Sequence, residues 1–78
     1  MYSQEVSIER WDAGELGCGE LVVELKRRLS RLPAGAVMEL IARDGGVAED
    51  LPAWCRLTAH ALVEARPPNY VIRRRKEG

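Results

Sequence analysis

No stretch of this chain approaches the ~20 consecutive apolar residues that a membrane-spanning helix requires. Its first residues, Met1 to Asp12, carry charges at Glu5, Glu9 and Arg10 and hold no apolar signal-peptide core. The expected location is therefore the cytoplasm, with no membrane partner. Neither sign of charge is in excess: 12 Lys and Arg stand against 12 Asp and Glu. A nucleic-acid coat protein or a membrane-surface binder would be clearly basic, so direct contact with nucleic acid is not expected. The same neutrality leaves little repulsion between copies and fits a monomer or a weak homo-oligomer. There is one histidine, His60, and no Cys-x-x-Cys, so the ligands of a zinc site are missing and neither a metal nor an organic cofactor is expected. The two cysteines, Cys18 and Cys55, read as free thiols in a reducing compartment and not as a structural disulfide. Repeats, low-complexity segments and linkers are absent. The 78 residues suffice for a single domain, 1–78, with a tail expected to fray from about residue 75. A chain this short buries only roughly 60% of the surface it exposes when unfolded. Chemistry is thus expected on the surface, within reach of a partner protein.

What is present is a regular alternation of patterns. Val6 to Trp11 alternates and ends at Asp12-Ala13-Gly14, which predicts a first strand and a turn. Gly14, Gly17 and Gly19 then make a bend. Cys18, Leu21, Val22, Leu25, Leu29 and Leu32 recur at spacings of three and four, the stripe of an amphipathic helix that Pro33 and Gly35 stop. On its polar face Glu24 stands one turn before Arg28, a pairing that favours the helix. Val37, Met38, Leu40 and Ile41 predict a buried strand over Ala36 to Arg43, closed by the turn Asp44-Gly45-Gly46. A second helix is expected from about Asp50 to His60, with Asp50 as its N-cap and Pro52 in its first turn. Ala61 to Arg66 and Tyr70 to Arg74 are strands joined at Pro67-Pro68-Asn69. The order βαβαββ implies an α/β two-layer sandwich, in which one four-stranded mixed sheet carries both helices on a single face.

Cys18 lies where the glycine-rich bend enters the first helix. Unpaired amides and the positive end of the helix dipole favour a thiolate there, and this predicts a lowered pKa. Gly17 and Gly19 leave room for close approach, whereas the carboxylate of Glu20 acts the other way. Cys18 equally reads as the first residue of the buried stripe, where a cysteine is inert. The residues alone leave both readings open.

The other chemistry-bearing residues have structural explanations. Cys55 falls on an apolar stripe beside Trp54 and reads as core. His60 sits at a predicted helix end, placed to pair with carbonyls. Asp12 is a turn former. Trp11 and Trp54 read as core, since neither is interleaved with basic residues. Lys26, Arg27, Arg28 and Arg31 form either a solvated face or a docking face. Arg73 to Lys76 would protect an edge strand or dock a partner.

The pattern also resembles the TusA (SirA-like) sulfurtransferases. Asp12 stands six residues before Cys18, as the leading aspartate does in that family. The helix Leu21 to Leu32, Gly35 and the strand Val37 to Ala42 follow in register. Asp50-Leu51-Pro52-Ala53-Trp54-Cys55 is similar to the opening of the family's second helix, and Ala59-His60-Ala61-Leu62 to its end. Tyr70-Val71-Ile72-Arg73 is similar to its last strand. Both prolines of the family's Cys-Pro-x-Pro motif are replaced, giving Cys18-Gly19-Glu20-Leu21. The resemblance implies a sulfur carrier whose catalytic residue is Cys18. A persulfide donor, such as a cysteine desulfurase or rhodanese-like protein, would load it. A sulfur-acceptor protein in tRNA thiolation, cofactor assembly or sulfur oxidation would unload it. The missing prolines keep two rivals in view: a non-catalytic interaction or regulatory module on the same fold, and a small RNA-binding domain.

Overall fold

Leu21, Leu25 and Leu29 stack one turn apart on one side of α1 (Cys18–Ser30) and are fully buried. Burying each is worth roughly 1.5–3 kcal/mol, which commits this segment to a helix against the sheet. Glu24 accepts from the Arg28 guanidinium at 2.9 Å on the outer side, the pairing read from the sequence. The structure, a computed structural model, describes residues 9–76. Around α1 it places β1 (Glu9–Gly14), β2 (Val37–Ala42), α2 (Gly46–Thr58), β3 (Ala61–Arg66) and β4 (Asn69–Arg73). The sheet is four-stranded with order β1-β2-β4-β3, β1 parallel to β2 and β4 antiparallel to both β2 and β3. The βαβαββ sandwich expected from the pattern is the fold observed.

Alternation decides which sheet face meets the helices. Met38, Leu40 and Ala42 of β2 are buried, and the first two stand opposite Ile72 and Tyr70 of β4, also buried. These side chains join Leu21, Leu25 and Leu29 with Val47, Leu51 and Cys55 of α2 in one core. The opposite sheet face carries polar pairs, including Arg10 to Glu39 at 2.8 Å.

Several boundaries differ from expectation. β1 was expected over Val6 to Trp11, of which Val6, Ser7 and Ile8 lie outside the described residues. The strand continues through Asp12-Ala13-Gly14, because parallel pairing with β2 carries on to Gly14 opposite Ala42. Asp12 still shapes the chain reversal: its Oδ1 accepts the Gly14 N–H at 2.9 Å, and Gly14 adopts φ +63°. α2 begins at Gly46, one turn before Asp50, since Val47 extends the buried stripe of Leu51 and Cys55. Asp44 supports that start by accepting the Gly46 N–H on Oδ2 at 3.2 Å and the Val47 N–H on its carbonyl at 3.1 Å. Asp50 is therefore not a cap, and Pro52 lies inside the helix, where it supplies no N–H to the preceding turn. The helix ends at Ala59, which takes the left-handed conformation at φ +67°. β4 is interior, so its one basic residue, Arg73, protects no edge, and Arg74 to Lys76 lie beyond the strand; the edges are β1 and β3. Trp11 and Trp54 are half-buried at the core margin instead of within it.

The topology fixes the site. α1 crosses between the parallel strands β1 and β2, and α2 between β2 and β3, which run the same way because each opposes β4. Both helices consequently start at one end of the sheet and finish at the other.

Candidate functional site

At the end where the helices start, Cys18 is the first residue of α1. Gly17 precedes it in extended conformation (φ −67°, ψ 159°), with no side chain capping the helix. The first helical bond runs from the Leu21 N–H to the Gly17 carbonyl at 2.9 Å, so the amides of Cys18, Gly19 and Glu20 have no helical acceptor. A Cβ added at Gly17 or Gly19 would meet no atom within 4 Å. The approach to the thiol is open, and Cys18 itself is half-buried.

Its surroundings differ from the sequence reading in one respect that matters. α2 starts beside α1 and brings Asp50 to the thiol, while Asp44 comes from the end of β2. The Cys18 pKa is raised by partial burial first, then by the hydrogen bond to Asp50, and then by the charges of Asp50 and Asp44. The expected lowering is overturned: two carboxylates oppose the amides of the helix start. Glu20 was anticipated as the opposing carboxylate, but the opposition comes from Asp50 of α2 and from Asp44 just before it.

The remaining candidates fall elsewhere. Cys55 is 2% exposed and its thiol is pushed up to about 11 by burial, which makes it a core residue as read. Asp12 is exposed and takes the Arg43 guanidinium at 3.0 Å. Its carboxyl lies below the usual range because of the Gly14 N–H and Arg43. That clasp ties the end of β1 to the end of β2, immediately before the two helix starts. His60 does not pair with carbonyls: its Nδ1 accepts the Arg75 N–H at 3.1 Å, and its ring rests 5.6 Å from that of Trp54. Arg28 lies over Trp11, 4.6 Å from the ring centre, so part of the basic face of α1 is committed to packing. Among the described residues, no helix is long and apolar enough to cross a membrane.

Comparison with known proteins agrees with this frame. The sequence model of the family described as Sulfurtransferase TusA matches residues 9–76. The chain is 36% identical over 62 residues to YrkF of Bacillus subtilis (strain 168), provisionally named a sulfur carrier protein. That match covers 80% of the chain but 34% of YrkF, so the chain spans about a third of that relative's length. A Neisseria meningitidis serogroup A protein, likewise provisionally named a sulfur carrier, is 35% identical over 57 residues, 73% of the chain and 77% of the relative. The sulfur carrier protein TusA of Pseudomonas syringae pv. syringae is 38% identical over 52 residues, 67% of the chain and 62% of that protein.

Proposed function

Because the chain belongs to the TusA sulfurtransferase family, we propose that it is a sulfur carrier which holds sulfur on Cys18 as a persulfide. One observation carries this reading: the half-exposed thiol sits on the open, amide-rich start of α1, while the other thiol is sealed in the core. The donor is a protein persulfide, R–S–SH, on a cysteine desulfurase or a rhodanese-like protein. The Cys18 thiolate attacks its outer sulfur; a new Sγ–S bond forms, the donor's S–S bond breaks, and the donor leaves as a thiolate. Unloading is the same exchange in the other direction, with an acceptor's thiolate attacking the outer sulfur and Cys18 leaving. That acceptor serves tRNA thiolation, cofactor assembly or sulfur oxidation. No redox change accompanies either step.

The local charges give this chemistry a resting state. Partial burial, then the hydrogen bond to Asp50 and the negative field of Asp50 and Asp44, keep Cys18 protonated and weakly nucleophilic. A cationic group on the donor, docked beside these carboxylates, offsets their charge and releases the thiolate at the moment of transfer. The thiol proton leaves to solvent. The amides of Cys18, Gly19 and Glu20 then face the sulfur anion.

The raised thiol pKa and the two missing prolines favour a second reading, an interaction module that keeps the fold without the chemistry. Intact-mass analysis separates the two. On incubation with a desulfurase and cysteine, the wild-type protein should gain one sulfur; Cys18→Ser should abolish the gain and Cys55→Ala should retain it. An unmodified wild-type protein, under conditions that load another carrier, would rule out the carrier reading.

A further inference from the structure

At the end of the molecule opposite Cys18, Lys26 and Ser30 of α1, Thr58 of α2, His60, Arg74 and Arg75 enclose a cavity of about 100 Å³. That is well below the ~300–1,000 Å³ of an organic-ligand pocket and adequate for one small ion. Three of the six residues are cationic and none is a carboxylate. Among the described residues no carboxylate pairs with Lys26, Arg74 or Arg75, whereas Arg27, Arg28, Arg43 and Arg66 all have partners. Among the described residues, this is a local excess of positive charge in a chain with no net charge. We infer that this cavity binds a tetrahedral oxyanion of the phosphate class.

The backbone that carries Arg74 and Arg75 is held in place before any anion arrives. The backbone of Arg74 is fixed on both sides, its N–H donating to the Ala36 carbonyl at 2.8 Å and its carbonyl accepting the Gly35 N–H at 3.1 Å. The Arg75 N–H donates to His60 Nδ1 at 3.1 Å, which puts the proton of the neutral ring on Nε2 and makes that atom a donor. A fixed backbone and a fixed His60 ring lower the ordering cost of binding. Several of the carbonyls that would repel an anion are already engaged. The Thr58 carbonyl at the end of α2 accepts from the Arg75 guanidinium at 2.7 Å. At the end of α1, the carbonyls of Arg28 and Leu29 accept the N–H groups of Arg31 and Leu32 at 3.1 and 3.0 Å. The hydroxyls of Ser30 and Thr58 donate to the Arg27 and Trp54 carbonyls, each at 2.8 Å, so they take no part as donors to the anion. His60 senses the uncompensated charge: after burial, Arg75 and Arg74 hold its pKa below the usual value.

The test is a titration of the ¹⁵N-labelled chain with inorganic phosphate, against sodium chloride at matched ionic strength. Saturable shifts are expected at Lys26, His60, Arg74 and Arg75, with the His60 pKa rising towards its ordinary value as phosphate fills the cavity. Lys26→Gln and Arg74→Gln should each weaken binding about three- to fivefold, the worth of one partly exposed charge pair. Lys26 is exposed on a helix surface, so that variant keeps the fold even if the other does not. A second arm uses a short single-stranded RNA without terminal phosphates. Saturation of the same residues by RNA assigns the anion to a nucleic-acid backbone, and saturation by phosphate alone assigns it to a free ion. Shifts that follow ionic strength, spread equally over Arg31 and Arg56, or persist at full strength in Lys26→Gln would overturn the inference.

Discussion

Cys18 and Cys55 are both harder to ionise than an ordinary thiol, and burial leads at both, but only Cys18 adds carboxylates to it. Burial alone raises Cys55, to about 11, and nothing short of opening the core relieves it. Cys18 is raised by partial burial together with Asp50 and Asp44, two carboxylates on the surface. A partner's positive charge offsets the latter part without disturbing the fold. The comparison shows why similar directions of shift carry opposite functional meaning: one thiol is locked, the other is restrained by groups a second protein can reach. It also exposes a conflict of purposes. Acidic residues near a helix start favour the helix dipole of α2, and the same residues disfavour a thiolate at the neighbouring start of α1.

The sharpest way to break this comparison is alkylation under native conditions, followed by peptide mass analysis. Cys55 is expected to label about a thousandfold or more slowly than Cys18, because modification must wait for an opening that costs most of the folding free energy. Comparable rates would show that the core does not seal it. Serine substitution should separate the two sites next. Cys55→Ser places a hydroxyl in an apolar core and should cost about 1–3 kcal/mol in urea denaturation. Cys18→Ser preserves a donor to Asp50 on the rim and should change stability by no more than about 0.5 kcal/mol. The smallest effect belongs to the Asp12–Arg43 clasp under the Cys18 loop. The folded pKa of Asp12 is lowered, so its contribution to stability is complete above the ordinary carboxylate value and lost as pH falls through the lower folded value. Asp12→Asn should accordingly be less stable than wild type at pH 6, by a margin that shrinks as the pH falls below the ordinary carboxylate value. A difference that persists in acid would assign the effect to packing instead of charge.

Much of this architecture is legible in the chain because periodicity reports burial directly. Leu21, Leu25 and Leu29 announce α1, Met38 and Leu40 announce β2, and Pro67-Pro68 marks the turn between β3 and β4. The failures share a cause: tertiary context outvoted a local signal. Gly45 and Gly46 read as a turn and Pro52 as a first-turn residue, which placed the start of α2 too late, whereas the burial of Val47 recruits one more turn. The basic run after Tyr70 reads as an edge device, but β3 folds back to cover β4. For the candidate site, the position of Cys18 at a helix start was readable and its electrostatics were not. A thiol's pKa depends on which distant carboxylate the fold delivers. Asp50 reads as a cap until α1 and α2 are set side by side.

The pH dependence of Cys18 alkylation, measured in a Cys55→Ala background with and without Asp50→Asn, tests this electrostatic restraint most directly. The expected result is a midpoint above the ordinary thiol value that moves down when Asp50 loses its charge, with faster alkylation at pH 7. A midpoint at or below the ordinary value, or one that Asp50→Asn leaves in place, would contradict the restrained-thiol mechanism.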